Sequence, residues 1–158
     1  MPLTKPALDP SDVQPHTGSS YPEPWRSQVL PREKRRLGDA LGLTQIGVNR
    51  TVLAPGKVSS MRHWHTHEDE FVYVLEGEIV LCTDSGEQVL RAGQCAGFPA
   101  GSREGHHFAN RSNQPAVYLE VSNRHPEDTA YYSDPAVDMV WSAPHARGRF
   151  TRRDGSEY

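Results

Sequence analysis

The chain is short of apolar residues, of cysteine and of charge of one sign. Hydrophobic residues make up only 35% of its 158 residues. No stretch approaches the roughly 18 consecutive apolar residues of a membrane-spanning helix, which excludes a helical membrane protein. Two cysteines, Cys82 and Cys95, make no disulfide framework in a chain of this length, so reduced and mostly buried thiols are expected. Seventeen Lys+Arg against twenty Asp+Glu leave a formal net charge of −3, which argues against a surface built for nucleic acid. The opening Met1-Pro2-Leu3-Thr4-Lys5-Pro6 lacks the charged-then-apolar layout of a secretory signal, so a cytoplasmic protein is expected. The length fits one domain.

The apolar deficit is uneven. Seven of the thirteen prolines fall within the first 31 residues, so residues 1–40 are expected to form an arm, extended or packed on the remainder or on a partner. Tyr21, Trp25 and Val29–Leu30 are the residues with which it could dock. The run Arg32-Glu33-Lys34-Arg35-Arg36 reads as a solvated basic face, and helix is confined to a turn or two near Glu33–Leu41. From residue 43 the pattern becomes short period-two segments separated by turns. Thr44–Leu53 alternates with Ile46, Val48 and Val52 on one face. Met61–His65, Phe71–Leu75, Glu78–Thr83, Gln88–Leu90, Cys95–Phe98, His106–Asn110 and Ala116–Val121 follow. About eight strands at roughly ten-residue spacing, with no long helical period, predict an all-β antiparallel sandwich or barrel over residues 41–124. Residues 125–158 read as a polar, irregular C-terminal extension of the same domain, with an edge strand at Val137–Trp141.

Histidine is where the sequence is rich, since five of its eight histidines lie between positions 63 and 107. In Arg62-His63-Trp64-His65-Thr66-His67-Glu68-Asp69-Glu70, a strand over Met61–His65 would turn His63 and His65 to one side. Glu70, at the head of the next strand, could approach the same point. Imidazoles plus a carboxylate with open positions suit one divalent transition metal, Fe, Mn, Ni, Co or Zn. His106, opening a later strand, is a plausible fourth ligand. His67 could instead pair with His65, leaving only two residues before Glu70.

These spacings resemble the cupin superfamily, and specifically a small single-domain bacterial cupin. Its first motif has two histidines one residue apart, four residues, a glutamate, six residues and a glycine, which here are His63, His65, Glu70 and Gly77. The second reads Gly93, Pro99, Gly101, His106 and Asn110, with a spacer of four residues before His106 instead of the usual two. Gly56 precedes the first histidine by seven positions where the family has six, and Gln94 stands where many cupins carry aspartate. The likeness covers roughly residues 43–122. It implies an antiparallel jelly-roll barrel with His63, His65, Glu70 and His106 as metal ligands, a register that the His67 alternative would break. The flanks resemble a branch of uncharacterised, sugar-phosphate-isomerase-like proteins through Leu37-Gly38-Asp39, Phe98-Pro99-Ala100-Gly101 and Asp154-Gly155.

With those ligands inward, alternation brings Met61, Val72, Val74 and Phe108 inside. Met61, Val72 and Phe108 are expected to flank the cation, and Val74 to fill the core. Arg103 and Lys57 sit on loops that could reach the mouth and meet an anionic group. His67 is the one candidate for a general base. No basic cluster is visible on inward positions, which weakens a phosphate-bearing substrate. The reading is a metal-dependent enzyme, isomerase or dioxygenase, on a small oxygen-rich metabolite such as a sugar, sugar phosphate or hydroxy/keto acid. The alternatives are a non-catalytic small-molecule binding or sensing module, and a barrel in which the metal is only a staple. Phe71, Tyr73 and Tyr118 are expected to face outward and to be covered in a homodimer.

Overall fold

Alternating strands with turn residues between them can bury one face only by closing two sheets on each other, and the chain does this. The computed structural model describes residues 3–144 and 148–158. The strands are β1 (Arg32–Arg36), β2 (Ile46–Leu53), β3 (His63–His65), β4 (Glu70–Glu76), β5 (Glu78–Thr83), β6 (Gly86–Arg91), β7 (Cys95–Phe98), β8 (His106–Ala109), β9 (Ala116–Asn123), β10 (Thr129–Tyr132), β11 (Val140–Ser142) and β12 (Arg149–Thr151). One sheet runs β1-β2-β9-β4-β7 and the other β12-β11-β10-β3-β8-β5-β6, with antiparallel pairings. Leu53, Val72, Val74, Ile79, Leu81, Phe108, Ala116 and Tyr118 form the core between them. No helix among the described residues is long and apolar enough to cross a membrane.

The chain crosses from β4 in one sheet to β5 in the other at Gly77, whose φ is +74°. A Cβ there would lie 3.0 Å from the Pro115 carbonyl oxygen, so both backbone conformation and close approach require glycine.

Several expectations need correction. The basic run is a strand followed by a one-turn helix, α2 (Leu37–Leu41), and a second short helix, α1 (Arg26–Val29), lies within the proline-rich arm. Ile46, Val48 and Val52 do not mark the core side of β2. Its inward residues are Gly47, Thr51 and Leu53, while Gly38 of α2 packs against Val48 on the other face. Tyr118 points into the core and not outward, because its cross-strand partners are Thr51 and Val74, both buried. Phe71 and Tyr73 do face outward. Cys82 is buried but Cys95 is exposed on β7.

The C-terminal extension carries more strand than its composition shows. With Val29, Met61, Tyr132, Val137 and Met139 buried together, and Tyr21, Trp25, Trp141 and Phe150 packed around them, arm and tail build a second apolar cluster beside the barrel.

Candidate metal centre

Period-two alternation sends His63 and His65 of β3 to one side, and the β3–β8 ladder sets His106 directly across from His63. Glu70, first residue of β4 in the facing sheet, reaches toward the same point. Its Oε2 lies 2.9 Å from His106 Nε2, 3.6 Å from His65 Nε2 and 3.8 Å from His63 Nε2. His63, Glu70 and His106 each offer a ligand atom, all within 4.8 Å of one another. Sequence spacing thus brought forward four side chains that do meet.

Outer contacts orient the rings. His63 Nδ1 lies 2.8 Å from the Met61 carbonyl oxygen and His65 Nδ1 lies 2.5 Å from Asp128 Oδ2. Both acceptors call for a proton on Nδ1, which leaves the Nε2 lone pair for the centre. His106 is held differently, its ring stacked on Phe98 at a centroid distance of 3.5 Å. Asp128 is fully buried and also accepts from the Thr66 hydroxyl and the His67 amide.

Burial alone would raise the Glu70 pKa, but the His106 contact and the surrounding imidazoles outweigh it and hold the carboxyl well below its usual range. Burial pushes His63 down to about 3, so it is neutral at pH 7. Burial also opposes charge on His65, yet the Asp128 hydrogen bond and the Glu70 charge leave its pKa raised. The buried Asp128, held ionised by His65, sits at about 2.

Glu70 Oε2 is buried and makes no well-directed hydrogen bond, although His106 Nε2 stands 2.9 Å away. A buried anionic oxygen faced only by imidazoles is costly unless something cationic completes it. Three imidazole nitrogens aimed at that oxygen form, with it, a donor set of the type that divalent transition metals take. The residues present therefore fit such an ion.

The cluster lies on the wall of a cavity of about 800 Å³ between the sheets. Val72 and Phe108 line it as expected, together with Phe98, Tyr118 and Glu120. Met61 and Arg103 are not among its lining residues: Met61 is buried in the second apolar cluster and Arg103 is exposed on its loop. Lys57 donates to the Ser27 carbonyl instead. His67 is exposed and stacks on His125 at 4.6 Å, so the expected base candidate does not reach the cavity. His107 lies across from Cys82 on β5 and is likewise absent from the lining.

The sequence reading missed a set of lining residues. Arg32 and Lys34 line the cavity from β1, with the exposed Arg36 at its edge, joined by His16 and by Glu120 of β9. The signal was present in the basic run, whose alternate positions are all cationic. Asp128 had none, since it lies in an unpatterned tail.

The fold and the centre together define a cupin, and the comparisons agree. Residues 49–122 match the Cupin domain family, and the chain belongs to the cupin superfamily. A crystal structure of a sugar phosphate isomerase of that superfamily from Silicibacter pomeroyi is 46% identical. It superposes with a TM-score of 0.90, over 97% of this chain and 96% of that one. A proposed sugar phosphate isomerase from Acidithiobacillus ferrooxidans is 26% identical, with a TM-score of 0.70 over 81% and 80% of the two chains. The tetracenomycin polyketide synthase protein TcmJ of Streptomyces glaucescens is 31% identical over 84 residues. That alignment covers 52% of this chain and only 54% of TcmJ, so the match spans about half the length of that curated relative.

Proposed function

We propose that the chain is a metal-dependent isomerase that moves a proton between adjacent carbons of a small oxygen-rich metabolite, a sugar, sugar phosphate or hydroxy/keto acid. In this reading His63, His65, Glu70 and His106 hold one divalent transition metal. The observation that carries it is the convergence of three imidazole Nε2 atoms on Glu70 Oε2 at the wall of a substrate-sized cavity. The likeness to the Silicibacter pomeroyi protein, named as a sugar phosphate isomerase, favours isomerisation over dioxygen chemistry.

A divalent ion held by His63, His65, Glu70 and His106 would supply Lewis acidity toward substrate oxygens. The remaining work falls to the chain's own groups. Glu120 is the one other carboxylate among the lining residues. It is the diagonal cross-strand neighbour of Glu70, since Glu70 pairs with Ser122 two residues further along β9. Such neighbours stand about 7–8 Å apart. Lys34 Nζ at 2.7 Å and the Thr51 hydroxyl at 3.0 Å fix its orientation. A Glu120 oxygen accepts the C–H proton and returns it to the neighbouring carbon, while a hydroxyl proton passes between the two substrate oxygens. No oxidant is consumed. Val72, Phe98 and Phe108 provide an apolar wall that limits water around the reacting carbons.

The test is proton exchange. Metal-loaded protein is incubated in D₂O with a panel of aldose and ketose phosphates and of hydroxy/keto acids. Deuterium should enter one substrate at the carbon beside its carbonyl, and Glu120→Gln should abolish this while retaining metal. A fully metal-loaded protein that exchanges no proton on any member would leave a binding module, not an enzyme.

A further inference from the structure

We propose that the Arg32, Arg36 and Tyr118 side of the cavity is a receptor for the dianionic phosphate end of the substrate, held apart from the metal-binding end. The inference rests on the cavity's being the substrate site and deepens that reading by naming the substrate class, a phosphate monoester.

The basic run that composition assigned to solvent is an edge strand with two faces. Arg35 turns outward to the Ser11 and Val13 carbonyls, whereas Arg32, Lys34 and Arg36 line the cavity. The three lie across from Leu53, Thr51 and Asn49 of β2. Lys34 is already neutralised by Glu120. Among the described residues, neither Arg32 nor Arg36 has a carboxylate partner. Arg32 donates one Nη1 hydrogen to the Ser59 carbonyl at 2.7 Å, and its Nε is buried with no acceptor. Tyr118, 1% exposed, also lines the cavity, and its hydroxyl makes no well-directed hydrogen bond, although Glu120 and Ser59 approach it.

A buried guanidinium N–H without an acceptor and a buried phenol O–H without a well-directed hydrogen bond are costly as they stand. An oxyanion completes both. Arg32 without a counter-ion, with the exposed Arg36 four residues along the same strand, favours an anion of more than one negative charge, which phosphate supplies in a geometry that arginine matches. The place also fits. Arg36, Asn49, Glu120 and Val72 form one cross-strand row over β1, β2, β9 and β4. Three strand spacings, about 14 Å between backbones, separate the arginine end of that row from the strand that carries Glu70. An extended metabolite can thus be held by a phosphate at one end and by adjacent oxygens at the other. His16, bridged to Lys34 through backbone, reports the local field: burial and then Arg36, Arg32 and Lys34 lower its pKa.

The experiment titrates inorganic phosphate, with acetate in parallel, into the metal-free 158-residue protein. Phosphate line broadening and the His16 imidazole shift are followed by NMR. Phosphate should bind saturably, raise the His16 pKa and bind at least tenfold more tightly than acetate. Arg32→Met and Arg36→Ala should each weaken phosphate at least tenfold without changing metal uptake. Arg36→Ala keeps the test valid if Arg32→Met loosens the Ser59 loop, because the Arg36 side chain makes no hydrogen bond among the described residues. His106→Ala should lose metal and keep phosphate. Phosphate binding that is absent, or indifferent to both arginines, overturns the receptor while leaving the metal reading intact. Equal binding of acetate overturns its preference for a dianion. Loss of metal binding in the parent with phosphate retained would instead sink the metal reading alone.

Discussion

His65 Nδ1 and Asp128 Oδ2, 63 residues apart in sequence, meet at 2.5 Å behind the metal centre. That contact fixes the ring of His65 and presents its Nε2 to Glu70, 3.6 Å away. A carboxylate behind a ligating imidazole also raises the basicity of the ligand. Asp128→Asn is therefore expected to weaken affinity for a divalent transition metal by roughly 10–100-fold. The asparagine carbonyl can still accept from the Thr66 hydroxyl or the His67 amide, so the variant should fold. Competition against a chromophoric chelator measures the change, and an unaltered dissociation constant would remove Asp128 from the centre.

Tyr118 predicts a conflict between stability and binding. A buried hydroxyl that makes no well-directed hydrogen bond costs up to about 1–3 kcal/mol, so Tyr118→Phe should raise the urea midpoint at an unchanged m-value. The same substitution should weaken phosphate, because stability has been given up for a functional contact. A variant less stable than the parent would show that the hydroxyl is already satisfied within the fold.

Gly77→Ala should lower unfolding free energy by about 2 kcal/mol or more. A left-handed backbone costs a non-glycine residue about 1–2 kcal/mol, and the new Cβ would press on the Pro115 carbonyl. Equilibrium denaturation decides this, and a loss under about 0.5 kcal/mol, the usual size of a neutral surface substitution, would contradict the strain.

The depressed His16 sets a sign for acid sensitivity. Its folded pKa lies below the usual value of about 6.5, so on acidification the unfolded chain takes up the proton first. Stability is full above that value and falls as pH drops through it toward the folded pKa. His16→Gln should flatten this part of the stability–pH curve relative to the parent. Arg36→Ala should raise the His16 pKa by removing the largest of the cationic repulsions from Arg36, Arg32 and Lys34, with Glu120 still held on Lys34. Urea midpoints between pH 5 and 7.5, about the window where an imidazole titrates, distinguish the outcomes. Identical slopes for parent and His16→Gln would refute the assignment.

Much of the fold could be read because its signals are local. Hairpin turns such as Asp84-Ser85-Gly86 and the spacing of His63, His65, Glu70 and Gly77 lie within short stretches of chain. What could not be read depends on pairing between distant strands. Ala116, Val117 and Tyr118 are all apolar, so β9 shows no alternation from which to choose an inner face. Only its ladders with β2 and β4 turn Tyr118 inward. On β2 the apolar alternation marked the wrong side, because part of the inner face is polar: Asn49 lines the cavity and the buried Thr51 donates to Glu120. Arg32 and Lys34 of β1 looked like part of a solvated face for the same reason: their surroundings are supplied by residues 59, 118 and 120, whereas Arg36 is exposed. Asp128 joins His65 only through the β10–β3 pairing, which no spacing rule encodes.

The central claim is that His63, His65, Glu70 and His106 bind one divalent transition metal. It is tested most directly by elemental analysis of untagged protein purified without added metal, beside His106→Ala. The account predicts near-stoichiometric Fe, Mn, Ni, Co or Zn in the parent and its loss in the variant. It also predicts a parent stabilised by about 2.7 kcal/mol when free metal stands at a hundred times its dissociation constant. A folded parent that carries no metal and takes up none of these ions when they are supplied would contradict it.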